Sequence, residues 1–380
     1  MTFTISEALG NKTIRLRSLL CLTLLMIVLP PRWISAWSWE QDLRWFYILM
    51  IAFFLTSLLI PLAIYLSVRF LVLDMPDERK THGSATPRLG GLAVYVAVIL
   101  TLLRNSQWSP ELVGLLASST VIYLLGTYED VKGLPALARL LGQLLAAIIA
   151  VRAGISFDLA PVGLGKQWID ALITLLWLVG ITNAFNFLDG IDGLASGMGL
   201  LCSLLFLFVA WPTRRESGGH LAYAAAALAG ACLGFLPYNW HRAKIFLGDA
   251  GATFIGFALA GMAVMGGGPT ANPLVKFSTP VVILGIPIFD MVYTTISRIR
   301  NGSVHSFKEW LEFVGKDHFH HRLMKLGMSV RETVGFILMV NLCLGLGALV
   351  IRYTISSLGS ILLLVQTALI FLIVAVLMLL

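Results

Sequence analysis

Long apolar runs follow one another along this chain, separated by short polar interruptions. The run "WFYILMIAFFLTSLLIPLAIYLSVRFLVL" (45–73) exceeds the roughly 20 residues a helix needs to cross a hydrocarbon core. Comparable runs occupy 89–104, 112–128, 139–153, 168–186, 193–211, 221–237, 250–266, 278–297, 334–352 and 357–380. The pattern predicts an all-α, polytopic integral membrane protein with eleven transmembrane helices. One more apolar stretch, "LLCLTLLMIVLP", follows Lys12, Arg15 and Arg17. A cleaved signal, an interfacial helix and a twelfth span all fit it. The absence of an A-x-A-type cleavage site favours an uncleaved span that starts inside. The expected organisation is a basic N-terminal segment (1–44) carrying that extra span, then one membrane-embedded domain (45–380).

Composition sharpens this picture. The chain is 58% hydrophobic and 12% charged, where soluble domains average about a quarter charged. Almost nothing is left to build a soluble domain. Cys21, Cys202, Cys232 and Cys343 all lie in apolar runs without metal-ligand or redox spacing, and read as packing residues. The net charge of +7 suits the anionic inner face of a membrane. Membrane lipids, not nucleic acid, are its implied partner.

Basic residues also set the sidedness. Numbered after the 45–73 span, the odd loops carry Arg79, Lys80, Arg88, Lys132, Arg139, Arg242, Lys244 and the cluster from Arg298 to Arg331. Even loops carry little. The positive-inside rule therefore places the odd loops in the cytoplasm. Every unusual polar stretch lies in those same loops: "DMPDERKTHGSATPRLGG", "YEDVKGL", "NAFNFLDGIDG", "NWHRAKIFLGDAG" and "GKDHFHHRLMKLG". Five such stretches on one face read as the walls of a single cytoplasmic site.

Glu129, Asp130, Asp189, Asp192 and Asp249 are costly near bilayer depth unless paired, hydrated or coordinating a cation. An oxygen-donor set with open positions suits Mg²⁺, which commonly takes one or two carboxylates plus substrate phosphates; Mn²⁺ is an alternative. Asn183, Asn186, Asp189 and Asp192 recur every third residue, on one side of a helical turn. Amides beside acids suit hydrogen bonding to a sugar or uracil. Arg79, Lys80, His82 and Arg88 suit phosphate oxygens, although positive-inside anchoring accounts for two of them equally well. Phe246 reads as a stacking platform for a flat base or as a lipid-facing aromatic. His318, His320 and His321 fit metal or phosphate, with zinc disfavoured because no cysteine accompanies them.

In order and content these stretches resemble the bacterial polyprenyl-phosphate N-acetylhexosamine-1-phosphate transferases (glycosyltransferase family 4), which include the phospho-N-acetylmuramoyl-pentapeptide transferases. The resemblance runs from about 70 to 330. It rests on Asp74, Pro76, Arg79, Lys80, His82, Pro87, Gly90 and Gly91, on Asn183 to Gly193, and on Gly248, Asp249 and Gly251. It implies Mg²⁺-dependent transfer of a sugar 1-phosphate from a UDP-N-acetylhexosamine to polyprenyl phosphate, releasing UMP and initiating a cell-envelope glycan such as an O-antigen. It implies a bacterial inner membrane location, and is compatible with a homodimer.

The same resemblance implies catalytic roles for Glu129, Asp130, Asp189, Asp192, His318, His320 and His321. It makes Asp249 the chief metal ligand, joined by Asp130, and gives substrate to Lys80, Asn183 and Asn186; Arg79, His82, Arg88, Lys132, Lys244 and Phe246 are substrate-binding candidates by residue type and position. Two features depart from the family pattern. Loop three reads Glu129-Asp130 instead of Asp-Asp, and the segment between Arg300 and His318 is longer than many relatives carry, which bears on sugar selection. The H-x-H-H arrangement is similar to the N-acetylglucosamine-1-phosphate branch. The muramoyl-pentapeptide branch, with three adjacent histidines, is the enzyme alternative. An ion-coupled secondary transporter is the alternative of another class, disfavoured because the motifs are confined to one face and no inverted repeat is visible.

Overall fold

The computed structural model describes residues 17–24, 32–75, 85–105, 108–163, 165–213, 219–266, 273–306, 309–310, 313, 315, 317–353 and 357–379. Arg79, Lys80 and His82 lie outside the described residues, as do 25–30 of the N-terminal apolar stretch.

The apolar runs fold as helices: α1 (Arg32–Glu40), α2 (Arg44–Arg69), α3 (Gly90–Asn105), α4 (Pro110–Lys132), α5 (Ala136–Arg152), α6 (Lys166–Leu188) and α7 (Leu194–Val209). They continue as α8 (His220–Asn239), α9 (Gly248–Met265), α10 (Pro273–Ile283), α11 (Gly285–Arg300), α12 (Phe319–Lys325), α13 (Val330–Tyr353) and α14 (Ser357–Leu379). The protein is a helical, multi-pass membrane protein. By length and apolarity α2, α4, α6, α8, α9 and α13 qualify as spans, and the bent pair α10–α11 would make a seventh; parts of α3, α7 and α14 form shorter apolar helices.

Two expectations need correction. The first run was expected to stay helical to 73, but α2 ends at Arg69. Leu73–Asp74 (β1) instead pairs antiparallel with Thr86–Pro87 (β2). The run 278–297 was expected as one helix, yet it is two, bent by 79° at Leu284. Pro280 and Pro287 flank the break, and each removes one helical N–H donor.

The helix α9 sits at the centre, packed against α3, α4, α6 and α7. Its composition allows this, because small residues let helix backbones approach closely where no hydrophobic driving force separates lipid from protein. A Cβ added at Gly91 of α3 would lie 2.5 Å from the Cα of Gly251. Around that contact, α8 packs against α2, α3 and α7, while α13 packs against α7, α10 and α14. Among the described residues, parts of the polar stretches named above meet around the start of α9 and the end of α6.

Candidate active site

The acidic end of α4 meets the start of α9. Asp130 has no exposed side-chain surface, and its Oδ1 and Oδ2 accept the backbone N–H groups of Asp249 and Ala250, each at 3.0 Å. Orphan donors at a helix N-terminus attract a carboxylate in this way. Gly248 turns the chain with φ +70; a Cβ there would meet the Arg88 carbonyl oxygen at 2.4 Å and Asp130 Oδ2 at 2.6 Å.

Arg88 closes the arrangement from the other side. Its backbone follows β2, and Phe246 N donates to Pro87 O while Gly90 N and Gly91 N donate to Phe246 O and Leu247 O. This pairing locks the residues before α9 against those before α3. The guanidinium then spans two acids, with Nη2 at 2.6 Å from Asp249 Oδ2 and Nε at 3.1 Å from Asp130 Oδ1. Burial opposes its charge, but Asp249, Asp130, Asp74 and Asp189 together hold the Arg88 pKa above its ordinary value.

Asp189 caps the end of α6 and faces the same group. Burial, then Asp249, then Asp130 and Asp192 push its carboxyl well above the ordinary carboxylate range, against the opposing pull of Arg88. With all ionised, three carboxylates (Asp130, Asp189, Asp249) against one guanidinium leave two negative charges uncompensated among the described residues. That surplus, in an oxygen-only donor set, fits a hard divalent cation. Among the described residues no three His, Cys, Asp or Glu side chains are grouped closely enough to cage a metal by themselves. Such a cation would therefore need oxygens from a ligand. Asp249 presents the open carboxylate, with a fifth of its side-chain surface exposed. Both oxygens of Asp130 accept from the first turn of α9.

The other predicted residues fall into distinct settings. Asn183 forms a reciprocal amide pair with buried Gln143, its Nδ2 donating to Oε1 at 2.7 Å and its Oδ1 accepting from Nε2 at 3.3 Å. Asn186 is half-buried, and no described residue hydrogen-bonds its side chain. Asp192 Oδ2 accepts from His241 Nδ1 at 2.8 Å and from Ala243 N at 3.1 Å, so it ties the "DGIDG" turn to the segment before α9. Asn239 reinforces that tie by accepting from Gly193 N and Ser196 Oγ and donating to Ile245 O. Glu129 points to Arg139, 2.7 Å away on α5. Lys132 and Lys244 are exposed, with the Lys132 amine over the Tyr128 ring at 5.4 Å. Phe246 is half-buried in the strand-like pairing.

The histidines are placed by α11. Asp290, 1% exposed, accepts His318 Nδ1 at 2.8 Å and Phe319 N at 2.7 Å. A carboxylate at Nδ1 puts the proton there and leaves Nε2 to accept from Arg298 Nη2 at 3.3 Å. Both ring nitrogens are engaged, and His318 ties the loop to α11. Arg298 also forms a two-pronged pair with Asp317, 2.7 Å at each contact. His320 is 1% exposed, and among the described residues neither of its ring nitrogens has a partner. It lies between His318 and His321 and packs on Gly190, where a Cβ would stand 2.4 Å from its Nε2. The Phe187 ring lies 5.2 Å from that of His318. The His318–His320 segment therefore lies against the end of α6. His321 is half-buried beside it.

Arg139, Gln143, Asn239, His241, Asp290, Arg298 and Asp317 were not among the residues expected at the site. Asp290 had a signal in the sequence, since a carboxylate within an apolar run is unusual by default. The others act through partners on distant helices.

Comparison with known proteins supplies the family. The sequence model of glycosyl transferase family 4 matches residues 112–267. The chain is 33% identical over 307 residues to a probable undecaprenyl-phosphate N-acetylglucosaminyl 1-phosphate transferase of Bacillus subtilis, covering 78% of this chain and 82% of the relative. It is 34% identical over 304 residues to a decaprenyl-phosphate N-acetylglucosaminephosphotransferase of Mycobacterium leprae, covering 72% and 74%. A phospho-N-acetylmuramoyl-pentapeptide-transferase of Bacillus subtilis is 31% identical over 308 residues, covering 74% and 88%. With Asp130, Asp189 and Asp249 inside the matched region and most of each relative covered, the chain belongs to glycosyl transferase family 4, the polyprenyl-phosphate N-acetylhexosamine-1-phosphate transferases.

Proposed function

We propose that this protein transfers N-acetylglucosamine 1-phosphate from its UDP-activated form to polyprenyl phosphate, at the cytoplasmic face of a bacterial plasma membrane. The supporting observation is the Arg88–Asp130–Asp249 group at the start of α9, with Asp189 opposite. In the net reaction a bond forms between an oxygen of the lipid phosphate and the β-phosphorus of the UDP-sugar. The bond from that phosphorus to the bridging oxygen breaks, and UMP leaves. The names of the first two relatives, both N-acetylglucosamine 1-phosphate enzymes, and the H-x-H-H spacing support this donor over the muramoyl-pentapeptide one. Family membership leaves the transporter reading without support.

Asp249 would hold Mg²⁺, and Asp189, whose carboxyl interacts electrostatically with that of Asp249, would share the cation. Such a cation, when bound, offsets charge on the diphosphate. The protein's own contribution is mainly positioning, which carries much of phosphoryl transfer. Asp130 fixes the first turn of α9 and so the direction of the Asp249 carboxylate. Arg88 holds both acids and presents cationic surface to an incoming phosphate. Asn186, whose amide is unengaged among the described residues, would serve the sugar or uracil, whereas Asn183 is braced by Gln143. Loop nine shields the site through His320 and its neighbours.

The test is UMP release by purified protein supplied with polyprenyl phosphate and one UDP-sugar at a time, with Mg²⁺ or with chelator. Release with UDP-N-acetylglucosamine, dependent on both lipid and Mg²⁺, is expected. Preference for the UDP-N-acetylmuramoyl-pentapeptide would establish the alternative donor instead. Undiminished turnover in chelator would remove the metal assignment.

A further inference from the structure

The break between α10 and α11 has a chemical cause and a specific remedy. In a continuous α-helix the carbonyl of Ile283 would accept from the N–H of the residue four positions on. That residue is Pro287, which has no N–H. Ile286 would donate to residue 282 in such a helix, and the 79° bend ends that register. An unpaired donor and acceptor inside a membrane bundle must find partners within the protein.

Asn341, near the middle of α13 and with no exposed surface, supplies both. Its Nδ2 donates to Ile283 O at 3.1 Å, and its Oδ1 accepts from Ile286 N at 3.5 Å. Cys202 of α7 joins from the other side: its Sγ lies 3.5 Å from Ile283 O and 3.6 Å from Asn341 Nδ2. One amide thus matches both orphaned groups, on either side of the break, while α7 and α13 hold the corner. Beyond the corner, α11 carries Asp290 and Arg298, the two residues that grip His318.

We propose that Asn341 is a positioning residue for the transfer reaction: by bridging the break, it sets the direction of α11 and hence the seating of the His318–His321 loop over Gly190. The functional half of this inference rests on the proposed role of that loop. The brace itself rests only on the helix geometry.

The experiment uses the full chain in lipid nanodiscs, with spin labels at Phe277→Cys on α10 and Ile296→Cys on α11, in a Cys343→Ser background. The remaining native cysteines are buried. Asn341→Leu, which fills similar space without the hydrogen bonds, should shift or broaden the α10–α11 distance distribution and lower kcat at least tenfold. Asn341→Asp keeps the shape and, when protonated, both hydrogen-bonding functions. Its activity relative to wild type should recover at low pH and fall as pH rises, because ionisation removes the donor to Ile283. The other titratable group bonded to this amide, the Cys202 thiol, is common to both proteins. An unchanged distance distribution in Asn341→Leu overturns the brace. A shifted distribution with unchanged kcat overturns its role in catalysis. Full activity in His318→Ala, measured alongside, would instead remove the histidine loop from the proposed site.

Discussion

The Glu129 carboxylate and the Arg139 guanidinium form an ion pair at 2.7 Å, joining the last turn of α4 to the first turns of α5. Both side chains are mostly buried. The pair gives a physical account of the loop-three departure, because the extra methylene of Glu129 brings its carboxylate to a cation outside the acidic motif. Its neighbour Asp130 turns the other way, to α9.

If the pair fixes loop three, shortening Glu129 and deleting the Arg139 side chain remove the same interaction. Glu129→Asp and Arg139→Ala should each lower kcat about three- to tenfold. The double variant should be no worse than the more damaged single one, which is the signature of coupled residues. UMP-release kinetics on the four proteins measure this. Multiplying effects in the double variant would show that the two residues act separately.

Asp130 and Asp249 should fail differently. Asp249→Asn leaves the helix start intact and is expected to abolish turnover with little change in thermal stability. Asp130→Asn keeps one acceptor oxygen where two are used, and loses the charge that favours a helix N-terminus. It should cost about 1 kcal/mol of stability in addition to most of the activity. Thermal unfolding in detergent, set beside turnover, separates the two. Equal stability of both variants would contradict the capping role of Asp130.

At Gly190 the prediction is steric. A methyl group there would stand 2.4 Å from His320 Nε2 and 2.9 Å from its Cε1, well inside contact distance. Overpacking of this kind costs roughly 1–3 kcal/mol and should displace the histidine loop. Gly190→Ala is therefore expected to lose at least tenfold in kcat, and Gly190→Ala/His320→Ala to be no worse than His320→Ala alone. If the double variant is far less active than His320→Ala, the glycine matters for a reason other than this contact.

The helices were legible because each needs only a continuous apolar run, and the run itself carries the information. The acids were legible too, since Asp189 and Asp249 are local punctuation in those runs. What supports them was not. Gln143 lies 40 residues from Asn183, His241 lies 49 from Asp192, and Asp290 lies 28 from His318. No sequence period links such pairs; only tertiary packing, such as that of α5 on α6 or of α8 on α7, brings them within reach. The broken helix had a local signal in Pro280 and Pro287. Hydropathy alone cannot register it, because both prolines leave the run apolar. The occupied carboxylate of Asp130 was likewise invisible, as its partners are backbone N–H groups of α9 and not side chains.

The His320 ring gives a pH dependence whose sign follows from its setting. Burial, then the neighbouring His321 and His318, hold its pKa well below the usual imidazole value. In the unfolded chain it takes up a proton near pH 6.5, while in the folded protein it stays neutral until a lower pH. The unfolded state therefore binds more protons in that interval. Stability is at its full value above about pH 6.5, and is lost as pH falls from there toward the folded pKa, by at most about 1.4 kcal/mol per pH unit for one group. Thermal unfolding between pH 5 and pH 8 should show this acid-side loss in the wild type, and a flatter slope in His320→Leu. An identical slope in both proteins would mean that His320 is protonated in the folded state, and would require an acceptor that the buried ring does not have among the described residues.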